Sequence, residues 1–285
     1  FIRTWRPCLR YYRNKTTWAR NNHMIVKSIE GMKTDSILSL PMKKLVVMLP
    51  TLDEEFGLRE ILPAIPRDKL TNLGWQTEVW VIDGGSSDSS IEIAKKHDCK
   101  VFKQAGYGKG AAMRTGFKEF LSKQKDALVM LDADGTYDPN EIPEFVRRLV
   151  EFDVVIGDRL RGSIEPGAMT RMNYFGNHML TWIASALYGV TTNDLCTGYW
   201  GFTKSAIAKL QLNSMRFEIE AEMFASCVKQ DINIASIPIS YKARLGEAKL
   251  GSLVDGWIIF KKLLVRRIFP SPVEVITGKG NLDIG

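Results

Sequence analysis

Short apolar runs and polar turns alternate with amphipathic stretches from residue 44 to residue 139. Leu45-Val46-Val47-Met48-Leu49 is a strand by its length and β-branched content, and Pro50 ends it. Thr51-Leu52-Asp53-Glu54-Glu55 turns into a helix, with acids at the helix start where the macrodipole favours them. Glu78 to Ile82 is a second strand, ending at Asp83-Gly84-Gly85-Ser86-Ser87-Asp88, with a helix from about Ser89. Lys100-Val101-Phe102 is a short third strand. Gly106-Tyr107-Gly108-Lys109-Gly110 leads into an amphipathic helix near 111–123. The apolar run Ala127 to Leu131 is a buried strand that stops at Asp132-Ala133-Asp134-Gly135, with Pro139 just beyond. This recurrence predicts a mostly parallel, doubly wound α/β sheet. Two of its strands end in Asp, at the carboxyl edge where such sheets bind ligands.

The pattern continues with a helix from Glu141 to Glu151 and a strand at 154–157 ending in Asp158-Arg159-Leu160-Arg161-Gly162. Met169 to Tyr188 is an apolar helical stretch containing Trp182. It reads either as a core helix or as a surface facing lipid or an acceptor. Asp194 to Phe202 is a turn rich in glycine and aromatics. Phe217 to Lys229 is helical, with Glu218, Glu220 and Glu222 near its start, and Ile234 to Tyr241 alternates as a strand. A loop, Arg244 to Leu250, precedes a basic amphipathic segment at 253–269. There Trp257 and Phe260 stand beside Lys261, Lys262, Arg266 and Arg267. Such a segment fits a helix lying in a membrane interface, and equally an ordinary C-terminal helix packed on the domain.

Charge sharpens the domain layout. The formal net charge is +7, but residues 1–44 hold ten Lys and Arg against two Asp and Glu. The rest of the chain is close to neutral, so the basic balance is not a nucleic-acid footprint. Residues 1–42 read as a basic, poorly ordered extension, 43–243 as the globular domain, 244–270 as a loop with an amphipathic interfacial helix, and 271–285 as a tail. The four cysteines have no metal-ligand spacing, and a reducing compartment is the default. No run of 18 apolar residues suggests a transmembrane helix, and no signal-peptide pattern stands at the start.

The chemistry concentrates at Asp132 and Asp134. Carboxylates at i and i+2 in a turn can reach one divalent cation, and hard oxygen ligands suit Mg²⁺ or Mn²⁺ held together with substrate phosphates. The same residues also read as a plain turn, with Asp132 capping a helix and Gly135 supplying a positive φ.

Five motifs in order resemble the inverting glycosyltransferases of family 2, which have the GT-A fold. They are Pro50 to Glu54, Asp83 to Ser86, Gly108 to Ala112, Asp132-Ala133-Asp134 and Gly157-Asp158-Arg159, and the likeness runs from about residue 43 to 264. Asp194 to Phe202, Phe217 to Glu222 and Arg244 to Leu250 are most similar to the polyprenyl-phosphate sugar synthases of the dolichyl-phosphate mannose synthase type.

The resemblance implies transfer of a hexose or N-acetylhexosamine from GDP-mannose, UDP-glucose or UDP-N-acetylglucosamine to polyprenyl (dolichyl) phosphate, for glycan assembly. It implies a divalent metal, Mg²⁺ or Mn²⁺, on Asp132 and Asp134. Asp53, Glu54 and Asp83, beside Pro50, Leu52 and Ala133, would hold the nucleotide, with Lys109 near the donor. Arg159, Arg171, Arg244 and Lys249 would meet acceptor phosphate or donor diphosphate, and Asp194 and Glu220 would line the sugar or order the site. Among these, Asp132, Asp134 and Arg159 are the expected catalytic groups. The expected location is peripheral, on the cytoplasmic face of a membrane, as a homodimer, with a separate membrane subunit, or attached directly.

The chain departs from the family pattern at Ala248, where Ser is usual in the Arg244–Leu250 loop, and in three further places. Gly84 follows Asp83 where a second acid is common, and Thr136 stands where Gln or His is usual, which puts a third metal ligand in doubt. The Gln-x-x-Arg-Trp motif of processive members is absent, which argues against a polysaccharide synthase. Two rival readings are a family 2 enzyme with a glycan or protein acceptor and a catalytically inactive nucleotide-sugar-binding scaffold. The retained acid pair argues against the scaffold.

Overall fold

A computed structural model describes residues 41–246 and 252–271. The expected basic extension up to residue 40, the Lys249 site and the tail beyond residue 271 lie outside the described residues.

One seven-stranded sheet carries the fold, in the order β3-β2-β1-β4-β6-β5-β7. β1 (Lys43–Thr51), β2 (Trp75–Asp83), β3 (Lys100–Lys103) and β4 (Ala127–Met130) run parallel. β5 (Val154–Ile164) and β7 (Ile234–Tyr241) pair parallel with each other, and β6 (Trp200–Thr203) lies antiparallel between β4 and β5. The expected α/β architecture, a mostly parallel sheet flanked by helices with a C-terminal helix, is the one observed.

Both faces of the sheet are covered, so its central strands are apolar at nearly every position. Val46, Met48, Leu128 and Met130 point into one core with α4 (Lys109–Ser122), α6 (Arg171–Tyr188), α8 (Ile219–Lys229) and α9 (Ser252–Ile268). Leu45, Val47, Leu49 and Val129 point into the other, with α1 (Glu55–Ala64), α2 (Arg67–Asn72), α3 (Ser90–Lys96) and α5 (Ile142–Arg148). α7 (Lys204–Lys209) follows β6 directly.

Two expectations are corrected. Trp200-Gly201-Phe202 is a strand, not part of a turn: its large aromatics are strand formers that stack on each other with ring centroids 5.8 Å apart. Arg159 is inside β5, not past its end, because the strand continues to Ile164 through an irregularity between Asp158 and Ser163.

The two amphipathic stretches each have a buried side and an exposed side. On α6, Leu180 and Ala184 are in the core while Met172, Phe175, Met179 and Trp182 are exposed, Trp182 by 71%. On α9, Ile259 and Leu263 are buried while Val254, Trp257 and Ile268 face outward. Tyr188 Oη donates to Leu263 O (3.0 Å) and Arg267 Nε to Leu187 O (2.8 Å), which fastens α9 to α6. Among the described residues, no helix is long and apolar enough to cross a membrane.

Candidate active site

Parallel pairing aligns the carboxyl ends of the first, second and fourth strands. Thr51 stands opposite Asp83, and Met48 opposite Met130, so the turns Leu52-Asp53-Glu54 and Asp132-Ala133-Asp134 leave the sheet side by side. They border a cleft of about 580 Å³ that continues to Asn173 of α6, Phe217 and Ile259 of α9.

Asp132 is met from two directions. Lys109, the first residue of α4, places Nζ 2.6 Å from Asp132 Oδ1 and 2.6 Å from Glu220 Oε1. Burial works against the Lys109 charge, but the two carboxylates outweigh it and raise its pKa, so it stays cationic. Burial raises Asp132 and Glu220, and the shared ammonium opposes that rise. The second direction is Gly198, where an added Cβ would lie 2.2 Å from Asp132 Oδ2. The Gly198 N–H donates to Tyr137 Oη at 2.6 Å, which fixes that backbone. Gly198→Ala is therefore expected to push the Asp132 carboxylate off Lys109 and cut turnover by roughly 10²-fold, the cost of misplacing a reacting group by about an ångström. Steady-state rates with an unchanged melting temperature would confirm it, and an unchanged rate would refute it.

Asp134 is oriented by its own turn. Its Oδ1 accepts from the Thr136 amide (3.1 Å) and hydroxyl (2.6 Å), and its Oδ2 from Arg244 Nη1 (2.9 Å). Thr136 thus aims Asp134 and does not line the cleft. Arg244 also reaches Glu54 Oε1 at 2.5 Å, tying the loop after β7 to the end of β1. Its buried Nε has no hydrogen-bond partner among the described residues. Among those residues no three His, Cys, Asp or Glu side chains converge as a metal cluster, and the acid pair stands as a pair.

Asp53 sits at φ 48° and locks the first turn to the second: its Oδ1 accepts from Ser87 N (2.6 Å), Ser87 Oγ (3.1 Å) and Asp88 N (3.3 Å). Asp83 caps its own turn, accepting from Gly85 N (2.9 Å) and Ser86 N (3.0 Å), and does not border the cleft.

Arg159 borders the cleft but is bidentate on buried Asp194, Nε to Oδ2 at 2.7 Å and Nη2 to Oδ1 at 2.8 Å, beneath the Tyr241 ring. Arg171 is exposed at the start of α6 and outside the cleft lining. Pro50, Leu52, Glu54, Lys109, Asp132, Ala133, Asp134, Glu220 and Arg244 all border the same space. Tyr137 and Tyr241 carry no motif of their own, and Gly198, though inside the Asp194–Phe202 motif, is given no role by the sequence.

Residues 47–211 match the family described as glycosyl transferase family 2. Glycosyltransferase AglJ of Haloferax volcanii is 33% identical over 230 residues, covering 80% of this chain and 73% of that protein. A dolichyl-phosphate hexose transferase of the same organism is 31% identical over 221 residues, covering 77% of this chain and 92% of its own. Glucosyl-3-phosphoglycerate synthase from Mycobacterium tuberculosis, crystallised with Mn²⁺, UDP and phosphoglyceric acid, aligns with a TM-score of 0.63 at 17% identity over 80% of each chain. That likeness shows a shared GT-A fold.

Proposed function

The chain belongs to glycosyl transferase family 2, and we propose that it moves a hexose or N-acetylhexosamine from a nucleoside diphosphate to polyprenyl (dolichyl) phosphate, with inversion at the anomeric carbon. One observation carries this reading: a single cleft brings the ionic groups Asp132, Asp134, Lys109 and Arg244 together with residues of α6 and α9. A lipid phosphate is a ligand that carries both an anion and an apolar chain. The relative named for dolichyl phosphate hexose transfer supports the acceptor class.

In this reading Pro50, Leu52, Asp53, Glu54 and Ala133 receive the nucleotide, with Asp83 and the serines after it holding Asp53 in place. Asp132 and Asp134 would hold Mg²⁺ or Mn²⁺, because two carboxylates from one turn are a hard donor set that diphosphate oxygens and water complete. Bound there, the ion would neutralise charge gathering on the leaving diphosphate. Lys109 and Arg244 already sit on these carboxylates and keep positive charge beside the same phosphates. Arg244 borders the cleft, its buried Nε has no hydrogen-bond partner among the described residues, and it is the group suited to pair with the incoming anion.

The acceptor phosphate has a second pKa of about 6, so near neutral pH it is already largely a dianion. No carboxylate of the cleft has to act as a strong base toward it. The exposed Met172, Phe175, Met179 and Trp182 of α6, continuous with cleft residues Thr170 and Asn173, would rest against lipid as a peripheral surface on the cytoplasmic side.

Purified protein with Mg²⁺ or Mn²⁺ and short-chain polyprenyl phosphate, offered radiolabelled GDP-mannose, UDP-glucose and UDP-N-acetylglucosamine in turn, tests the proposal. Label in the organic phase with one donor, lost on adding chelator, is the expected result. Donor binding without transfer to lipid would move the reading to a glycan or protein acceptor. The absence of donor binding would favour a scaffold.

A further inference from the structure

Glu222 follows Glu220 by two residues on α8, and sugar transfer as described makes no use of it. Two residues apart on a helix, the side chains leave it about 200° apart, so one carboxylate faces the cleft and the other faces away. Glu222 is fully buried. Its Oε2 accepts the backbone N–H groups of Asn213 (2.9 Å) and Ser214 (2.6 Å). Its Oε1 accepts Arg266 Nε of α9 at 2.6 Å, and Arg266 Nη2 bonds both Glu222 Oε1 and Asn213 Oδ1. Lys262, one turn earlier on α9, donates to Asn213 Oδ1 at 3.2 Å. The C-terminal helix therefore grips the loop at 211–217 through one carboxylate. Two of the four basic residues that suggested a lipid-facing helix, Lys262 and Arg266, are turned inward by this grip.

The far side of the same loop is the turn that carries Lys109. Ala111 N donates to Met215 O at 3.3 Å. An added Cβ on Gly108, at φ +87°, would lie 2.4 Å from Met215 O, and one on Gly110 would lie 2.4 Å from Ser214 O. Turn and loop thus meet backbone to backbone, a contact only glycine permits. From that turn Lys109 holds Asp132 and Glu220, and the loop itself sends Arg216 and Phe217 to the cleft wall.

We propose that Arg266 is a positioning residue: through Glu222 and Asn213 it fixes the 211–217 loop against the Gly108–Gly110 turn, and so sets the place of Lys109 in the donor cleft. The cleft then depends on where α9 sits. A buried ion pair suits such a task, because its charges accept one register only, where an apolar contact would tolerate sliding.

Hydrogen–deuterium exchange on the full chain tests the link without relying on any activity. Arg266→Met is expected to speed exchange at least about tenfold in residues 105–112 and 211–217 while the amides of β1 and β4 keep their rates. Acceleration confined to α9, or spread through the whole sheet, would overturn the proposal. Should Arg266→Met fail to fold, Glu222→Gln reads the same two segments, and Arg266→Lys should return part of their protection.

A kinetic arm rests on the transferase reading. With the donor that the wild type uses, Arg266→Met should raise the donor KM about tenfold and change kcat by less than about threefold. An unchanged KM would count against the link. If the wild type transfers none of the three sugars, the functional proposal fails while the exchange arm still decides the role of Arg266.

Discussion

Asp134→Asn is expected to lower sugar transfer by roughly 10³-fold, the upper range for removing one group aimed at developing charge, while the protein stays folded. Asparagine keeps the size of the side chain and an oxygen for the Thr136 amide and hydroxyl, so the turn retains its shape. What disappears is the negative charge that faces Arg244 Nη1 at 2.9 Å and that, with Asp132, would hold the divalent cation. Two readouts separate these losses. Mn²⁺ binding followed by electron paramagnetic resonance in the presence of UDP or GDP should weaken in Asp134→Asn. It should survive in Arg244→Met, which leaves both carboxylates in place. Turnover within about threefold of wild type in Asp134→Asn would sink the proposed mechanism.

The second large effect is on stability. Asp194→Ala should cost about 3–5 kcal/mol, because it leaves the Arg159 guanidinium buried without its counter-ion. For a domain of this size that is a fall of roughly 10 °C in melting temperature. Asp194 is fully buried, Arg159 is 5% exposed, and the pair is bidentate, so water cannot replace the lost carboxylate. Differential scanning calorimetry of Asp194→Ala, Arg159→Met and Asp194→Leu with Arg159→Met decides the matter. If the pair is chiefly an internal brace, the double variant is more stable than Asp194→Ala. A melting temperature unchanged in Asp194→Ala would mean that Arg159 already spends its charge elsewhere, as a phosphate ligand would.

Most elements were readable along the chain because each has a local cause. Apolar runs of four or five residues ended by Pro50, Asp83 or Asp132 mark strands buried on both faces. Gly106 and Gly108, at φ +90° and +87°, mark the sharp entry to α4. The misreadings share a cause as well. Trp200 to Phe202 has glycine and aromatics at turn-like density, and only pairing with β4 and β5 makes it a strand. Arg159 follows an apolar run in a polar segment that looks like a strand end, yet pairing with β7 carries the strand on to Ile164.

The site divides along the same line. The acid pair lies at a strand end, so periodicity and turn chemistry alone placed it on the carboxyl edge of a parallel sheet, while the parts given to the Asp53 turn and to Lys109 came from the family resemblance. Which cation meets which carboxylate was beyond any local pattern. Arg244 and Asp134 are 110 residues apart, and Arg159 and Asp194 are 35 apart. The glycine that seats Asp132, the threonine that aims Asp134 and the carboxylate that α9 grips show no periodicity either. Local sequence dictates backbone conformation through sterics and burial, and that determined the sheet and its acidic edge. Side-chain pairing follows from which donor and acceptor atoms the fold brings within about 3 Å of each other, and that was decided only by the tertiary structure.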